Sequence, residues 1–179
     1  MAGMRIYLAS TLPMLARARA QRQLTDGPAT GFAVTPALRE WYAEGDLEEL
    51  EYAAMGAAAR ESLGLLAADP SALRRRVVLA VDVPDGAVAQ RQDDQRAKLS
   101  VLGPVPWSAL ASVHVDGFEA EPAVAAAAEA VQAAAEGDED AQFTVDSAED
   151  ESLLWYAAQE ADDLLAGAAG NLGDQGAAT

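Results

Sequence analysis

The chain has no cysteine, one histidine and one lysine among its 179 residues. Without cysteine there is no disulfide, no thiolate nucleophile and no thiolate metal ligand. A single histidine, His114, excludes a His-rich metal set and a two-histidine acid/base pair. Aromatic residues make up 6% of the chain, so any core must be built from Leu, Val and Ala. No apolar run approaches the ~20 residues that span a bilayer. Met1–Arg5 shows no basic stretch leading into a long apolar one, and we expect no signal peptide. With the missing cysteines, this sets a cytoplasmic location as the expectation.

The largest absence is positive charge in the second half. No Lys or Arg follows Lys98: residues 1–98 hold all 12 basic residues against 13 acids, residues 99–179 hold 16 acids, and the formal net charge is −17. Such a surface repels phosphate backbones and anionic lipid, so nucleic acid and membrane are excluded as expected partners and a basic protein is favoured. Chemistry-bearing motifs are missing too. There is no G-x-G-x-x-G, no G-x-x-x-x-G-K-[ST], no G-x-S-x-G and no calcium loop among the acid clusters Asp138–Asp140 and Glu149–Glu151. The expectation is no cofactor, no metal and no catalytic set. The sequence leaves the oligomeric state open.

What is present reads as alternating strands and helices. Arg5–Ala9 is a short strand, and Ser10 or Thr11 caps a helix that carries Pro13 in its first turn. Gly31–Val34 is a strand, and Thr35-Pro36 is a helix start. Asp46 to Glu49 is a capping box opening a helix to about Ala68. Val77–Val83 is apolar almost throughout and predicts a central strand covered on both faces. Ser112–Asp116 alternates, with Val113 and Val115 on one face and His114 on the other, most simply a solvent-facing residue. Pro122–Glu136 and Asp138–Ala148 read as helices. Ser152–Tyr156 is bulky enough to predict a buried core element, a strand in preference to a helix running on to Leu165. The order predicts an α+β (mixed α/β) single domain over residues 4–165. It has five or six short strands in one mixed or antiparallel sheet with packed helices, followed by a disordered Gly/Ala-rich tail at 166–179. Arg74–Arg76, the densest basic spot, suits a phosphate or carboxylate; the favoured expectation is a solvated strand start facing Glu48, Glu49 and Glu51.

Several segments together resemble a family of small, acidic, uncharacterised actinobacterial proteins: MRIYL, TPALREWYAEGDLEELEYAA, RRVVLAVDVPD, GPVPWSALASVHVDG and DAQFTVDSAEDESLLWYAAQE. The resemblance covers most of residues 4–165 and implies an actinobacterial cytoplasmic protein of no established activity. A fainter resemblance, in the GF-x-x-T segment, the VVLAVDV strand and the GPVP-x-x-AL turn, is to small ADP-ribosyltransferase-like domains. It implies an NAD-like ligand in a cleft, with Tyr7, Ser10, Thr35, Arg39 and His114 as candidate contacts. Here Gly31–Thr35 contains no histidine. The leading expectation is a non-enzymatic protein-interaction or regulatory module using the acidic C-terminal half. The alternative is a small-ligand or nucleotide-binding or processing domain with a degenerate transferase-like cleft.

Overall fold

The apolar run predicted to be central is central. In a computed structural model, which describes residues 2–91 and 93–175, β4 (Val77–Pro84) lies in the middle of an antiparallel sheet. Its neighbours are β1 (Gly3–Ser10), which pairs with it along its whole length, and β8 (Leu110–Asp116). Outward from β1 follow β3 (Ala29–Phe32), β6 (Lys98–Val101) and the edge strand β5 (Val88–Gln90). Outward from β8 lies the opposite edge strand, β9 (Leu153–Ala157). A separate ribbon pairs β2 (Gln23–Thr25) with β7 (Val105–Pro106). The α+β class stands, with seven strands in the main sheet rather than five or six. Strands of two or three residues are too short to show a period-two signal, so β2, β5 and β7 escape sequence reading.

The helices begin where local chemistry says they must. Thr11 caps α1 (Leu12–Gln21) by accepting from the Met14 N–H at 3.3 Å. Thr35 caps α2 (Pro36–Trp41), with Pro36 supplying the fixed φ of a first turn. Asp46 and Glu49 close the predicted capping box on α3 (Leu47–Ala68). Gly137, at φ +96, stops α4 (Glu121–Ala135) before α5 (Glu139–Ser147), a left-handed position that suits glycine.

Strand alternation sends side chains to two cores. On one face Ile6, Leu8, Val77, Leu79, Val81, Leu99 and Val113 meet Leu12 and Leu15 of α1 and Leu164 of α6 (Ala161–Gln175). On the other, Tyr7, Phe32, Val78 and Ala80 meet Leu38 of α2 and Leu50, Ala54 and Ala58 of α3. The far end of α3 turns Leu63 and Leu66 to Val124 and Ala128 of α4 and Val145 of α5, a third cluster on top of the second. Each buried Leu or Val contributes roughly 1.5–3 kcal/mol. Residues 166–175 of the expected tail belong to α6, and Ala168 is buried in the first core. Residues 176–179 lie outside the described residues.

Two further expectations change. Arg75 and Arg76 are buried, not solvated, and meet Asp116 rather than the Glu48–Glu51 face. The Ser152–Tyr156 segment is a strand, yet Leu154 and Trp155 are 43% and 62% exposed, because β9 is the sheet's edge and has a neighbour on one side only.

Candidate functional site

The five residues singled out from the sequence fall in separate places. Tyr7 (β1) and His114 (β8) share the sheet face that carries α3. In register, Tyr7 lies opposite Ala80, which lies opposite Ser112, and His114 lies opposite Val78. His114 is half-buried and its Nε2 is 3.0 Å from the Ser112 hydroxyl. Burial, and secondarily the charge of Arg5, hold its pKa below the usual histidine value. Burial, then Glu51, push the Tyr7 phenol up. The Arg5 guanidinium forms a two-pronged ion pair with Asp82 at 2.8 Å on each prong, which lowers the Asp82 pKa. Ser112 was not foreseen; its place two residues before His114 on one strand is the signal that could have found it.

Ser10 belongs elsewhere. Alternation turns it to the opposite sheet face, where it is buried, donates to the Thr11 carbonyl at 3.2 Å and lines a cavity of about 470 Å³ beside Met14, Gln21 and Thr30. Thr35 is also buried. Its hydroxyl accepts from the Leu38 N–H at 3.1 Å and donates to the Arg96 carbonyl, tying the start of α2 to the loop before β6. Arg39 stands on the exposed side of α2.

Near Thr35 lies an open groove of about 630 Å³ between α2, α3, α4 and the segment before β6. Phe32, Leu38, Ala57, Val131 and Val145 give it an apolar lining. Arg96 stacks on Trp41 at 3.7 Å from the ring centre, and Lys98 joins it at the rim with Glu61. Arg60 also lines the groove, but its charge is committed to Asp146 and Glu149, each at 2.7 Å. Four stretches of chain far apart in sequence build these walls, so no local motif announces them.

The basic triplet is absorbed by the fold. Arg74 donates to the carbonyl of Leu66 in the last turn of α3 at 2.9 Å and to that of Ala72, beyond the helix, at 2.7 Å. Arg75 donates to the Asp116 carbonyl at 2.7 Å and lies over Phe118, 4.2 Å from the ring centre. Arg76 grips the Asp116 carboxylate with its Nε at 2.9 Å and a terminal nitrogen at 2.7 Å, and both side chains are buried. No arginine of the triplet is left to receive a free anion.

The charge asymmetry is therefore partly folded out. Arg19, Arg60 and Arg76, all from the first 98 residues, hold Asp162, Asp146, Glu149 and Asp116 of the second part. The exposed acids Glu129, Glu136, Glu139, Asp140, Asp150 and Asp163 take no part in the ion pairs found among the described residues. The same half exposes large apolar side chains: Phe143 at 74%, with Leu154 and Trp155. Among the described residues no cluster of three His, Asp or Glu is placed to hold a metal ion, and no helix is long and apolar enough to cross a membrane.

Comparison with curated proteins and with solved structures finds no significant match. A family does match, over residues 4–165, and the chain belongs to it: the family of unknown function DUF6912.

Proposed function

We propose that the protein is a non-enzymatic interaction or regulatory module of the cytoplasm that presents its acidic C-terminal half to a basic protein partner. The observation that carries this reading is the pairing of free carboxylates with exposed Phe143, Leu154 and Trp155 on one half of the chain. Exposed apolar side chains framed by charge of one sign are what a protein interface needs: apolar area for affinity, charge for steering and selection. Nucleic acid is disfavoured by the same charge. The test is calorimetric titration with a lysine-rich peptide over a salt series. Affinity that falls steeply as salt screens beyond the ~10 Å regime supports the reading. Replacing Glu139 and Asp140 with glutamine lowers affinity further if α5 is part of the surface. Affinity indifferent to both salt and these substitutions contradicts it.

A second reading has its own observation, the groove of about 630 Å³. That volume is within the ~300–1,000 Å³ of small-molecule sites. Trp41 stacked with Arg96 offers a planar, cationic wall for a nucleotide or another planar anion. Thr35 then serves by fixing the Arg96 loop rather than by touching the ligand. Tyr7, Ser10, Arg39 and His114 do not line this groove. A thermal-shift screen with NAD, nucleotides and aromatic carboxylates checks it. A midpoint rise abolished by Arg96→Ala supports the reading, and a flat screen opposes it.

A further inference from the structure

We propose that β9 is an open strand-addition site, and that it takes an extended segment of a basic protein, apolar at its centre and carrying Lys or Arg at both ends. The inference rests on the acidic-half reading above and specifies how the partner docks.

The direction of the backbone groups comes first. Asp116 gives its N–H to the Arg76 carbonyl at 3.1 Å, so at that position β8 bonds toward β4. Period-two alternation then turns the N–H and carbonyl of Val113 and Val115 toward β9, where they meet Tyr156 and Leu154. Leu153, Trp155 and Ala157 consequently point their backbone groups away from the sheet. Ala157 confirms the direction independently, because its N–H is taken by the Glu160 carboxylate at 2.8 Å. Leu153 and Trp155 present their N–H and carbonyl groups along the free edge, and no element among the described residues pairs with that edge.

An apolar edge of this kind is normally blunted by a lysine, a proline, a bulge or shortness. The opposite edge, β5, is three residues long and runs into a charged loop in which Arg91 pairs with Asp93. β9 is five residues of Leu, Trp, Tyr and Ala with none of those devices. Its side chains also wait for cover. Trp155 projects on the His114 face and Leu154 on the opposite one, and both stay substantially exposed although paired with β8 on their inner side. An added strand would supply the missing neighbour to each and bond the Leu153 and Trp155 backbone in the manner of strand augmentation.

Charge selects the occupant. Glu149, Asp150 and Glu151 precede β9, and Glu160, Asp162 and Asp163 follow it. Glu149 holds Arg60 and Asp162 holds Arg19, which leaves Asp150 and Asp163 as exposed carboxylates at opposite ends of the strand. A second copy pairing antiparallel would set one copy's first cluster against the other's second, acid against acid. A strand with basic flanks meets opposite charge at both ends.

The test titrates the full chain with a synthetic peptide of about five alternating Val and Thr residues flanked by lysines, and with the same peptide N-methylated at every core nitrogen. The expected result is binding of the first, with the methylated peptide weaker by about tenfold or more because its strand hydrogen bonds are gone. Trp155→Thr, a surface change that keeps strand propensity, weakens the unmethylated peptide and leaves the methylated one unchanged. Equal binding of the two peptides overturns strand addition while leaving the acidic-half reading in place. Binding of neither peptide at low salt overturns both. Self-association that grows with salt and excludes the peptide also overturns the proposal, in favour of a second copy as the occupant.

Discussion

Residues 1–98 and residues 99–179 differ more in how their charges are used than in how many they have. Every cation after Arg5 that forms an ion pair, apart from Arg91, reaches into the cation-free part: Arg19, Arg60 and Arg76 clamp helices or strands that supply only acids. The first part thus commits Arg19, Arg60 and Arg76 to internal ties. The second receives them at four carboxylates and keeps Glu129, Glu136, Glu139, Asp140, Asp150 and Asp163 exposed. A charge count along the chain measures polarity of sequence; part of it is cancelled on folding, and the acids of the second part that stay exposed outside these ion pairs include those on α4, on α5 and near both ends of β9.

The sharpest way to break that comparison is to remove the buried tie. Arg76→Met leaves the Asp116 carboxylate buried with only the Arg76 backbone N–H, at 2.6 Å, and should cost about 3–5 kcal/mol of unfolding free energy. Urea denaturation measures it, and the added change Asp116→Leu should restore part of the loss because no lone buried charge remains. A loss under about 1 kcal/mol would place this pair among ordinary surface contacts.

The exposed ties are worth less. Arg60→Ala frees Asp146 and Glu149 and should lower Tm by only about 1–2 °C, an effect that shrinks with salt. It should also flatten part of the acid limb. The Arg60 guanidinium, then Gln142, hold the Asp146 pKa below the usual carboxylate range. Its contribution is therefore complete above about pH 4 and is lost as pH falls through the depressed value. Scanning calorimetry from about pH 5 downward compares the two proteins.

The smallest effect concerns His114, the one group after Lys98 that could add a side-chain positive charge. Its folded pKa is lowered, so neutral histidine is favoured in the fold. That contribution is fully present above about pH 6.5 and is lost as pH falls below it. Tm should decline modestly between about pH 7 and pH 5, and His114→Gln should remove the part of the slope that histidine supplies. An unchanged slope would mean that protonating His114 costs the fold nothing.

Local chemistry made much of this fold readable. The Thr35-Pro36 start, the Asp46 capping box and the apolar run of β4 each act within a few residues, and each appears where the sequence put it. Contacts between distant segments were not readable. Arg76 and Asp116 are forty residues apart, and nothing local distinguishes a strand-start arginine bound for a buried carboxylate from a solvated one. Bulk misled at Ser152–Tyr156: side-chain size predicts burial, but strand order decides it, and β9 has one neighbour. Among the candidate contacts, Thr35 is accounted for as a helix cap and loop anchor. Tyr7 and His114 share a sheet face but not the groove, whose walls no single stretch of sequence contains.

The measurement that tests the account most directly is amide hydrogen exchange with and without the lysine-flanked strand peptide. The account predicts that exchange slows at Leu153 and Trp155, the outward-facing amides of β9 other than Ala157, whose N–H is held by Glu160, with Tyr156 and Leu154 already protected by β8 and the groove residues Trp41 and Arg96 unchanged. Saturating peptide that leaves Leu153 and Trp155 as fast as before would contradict it.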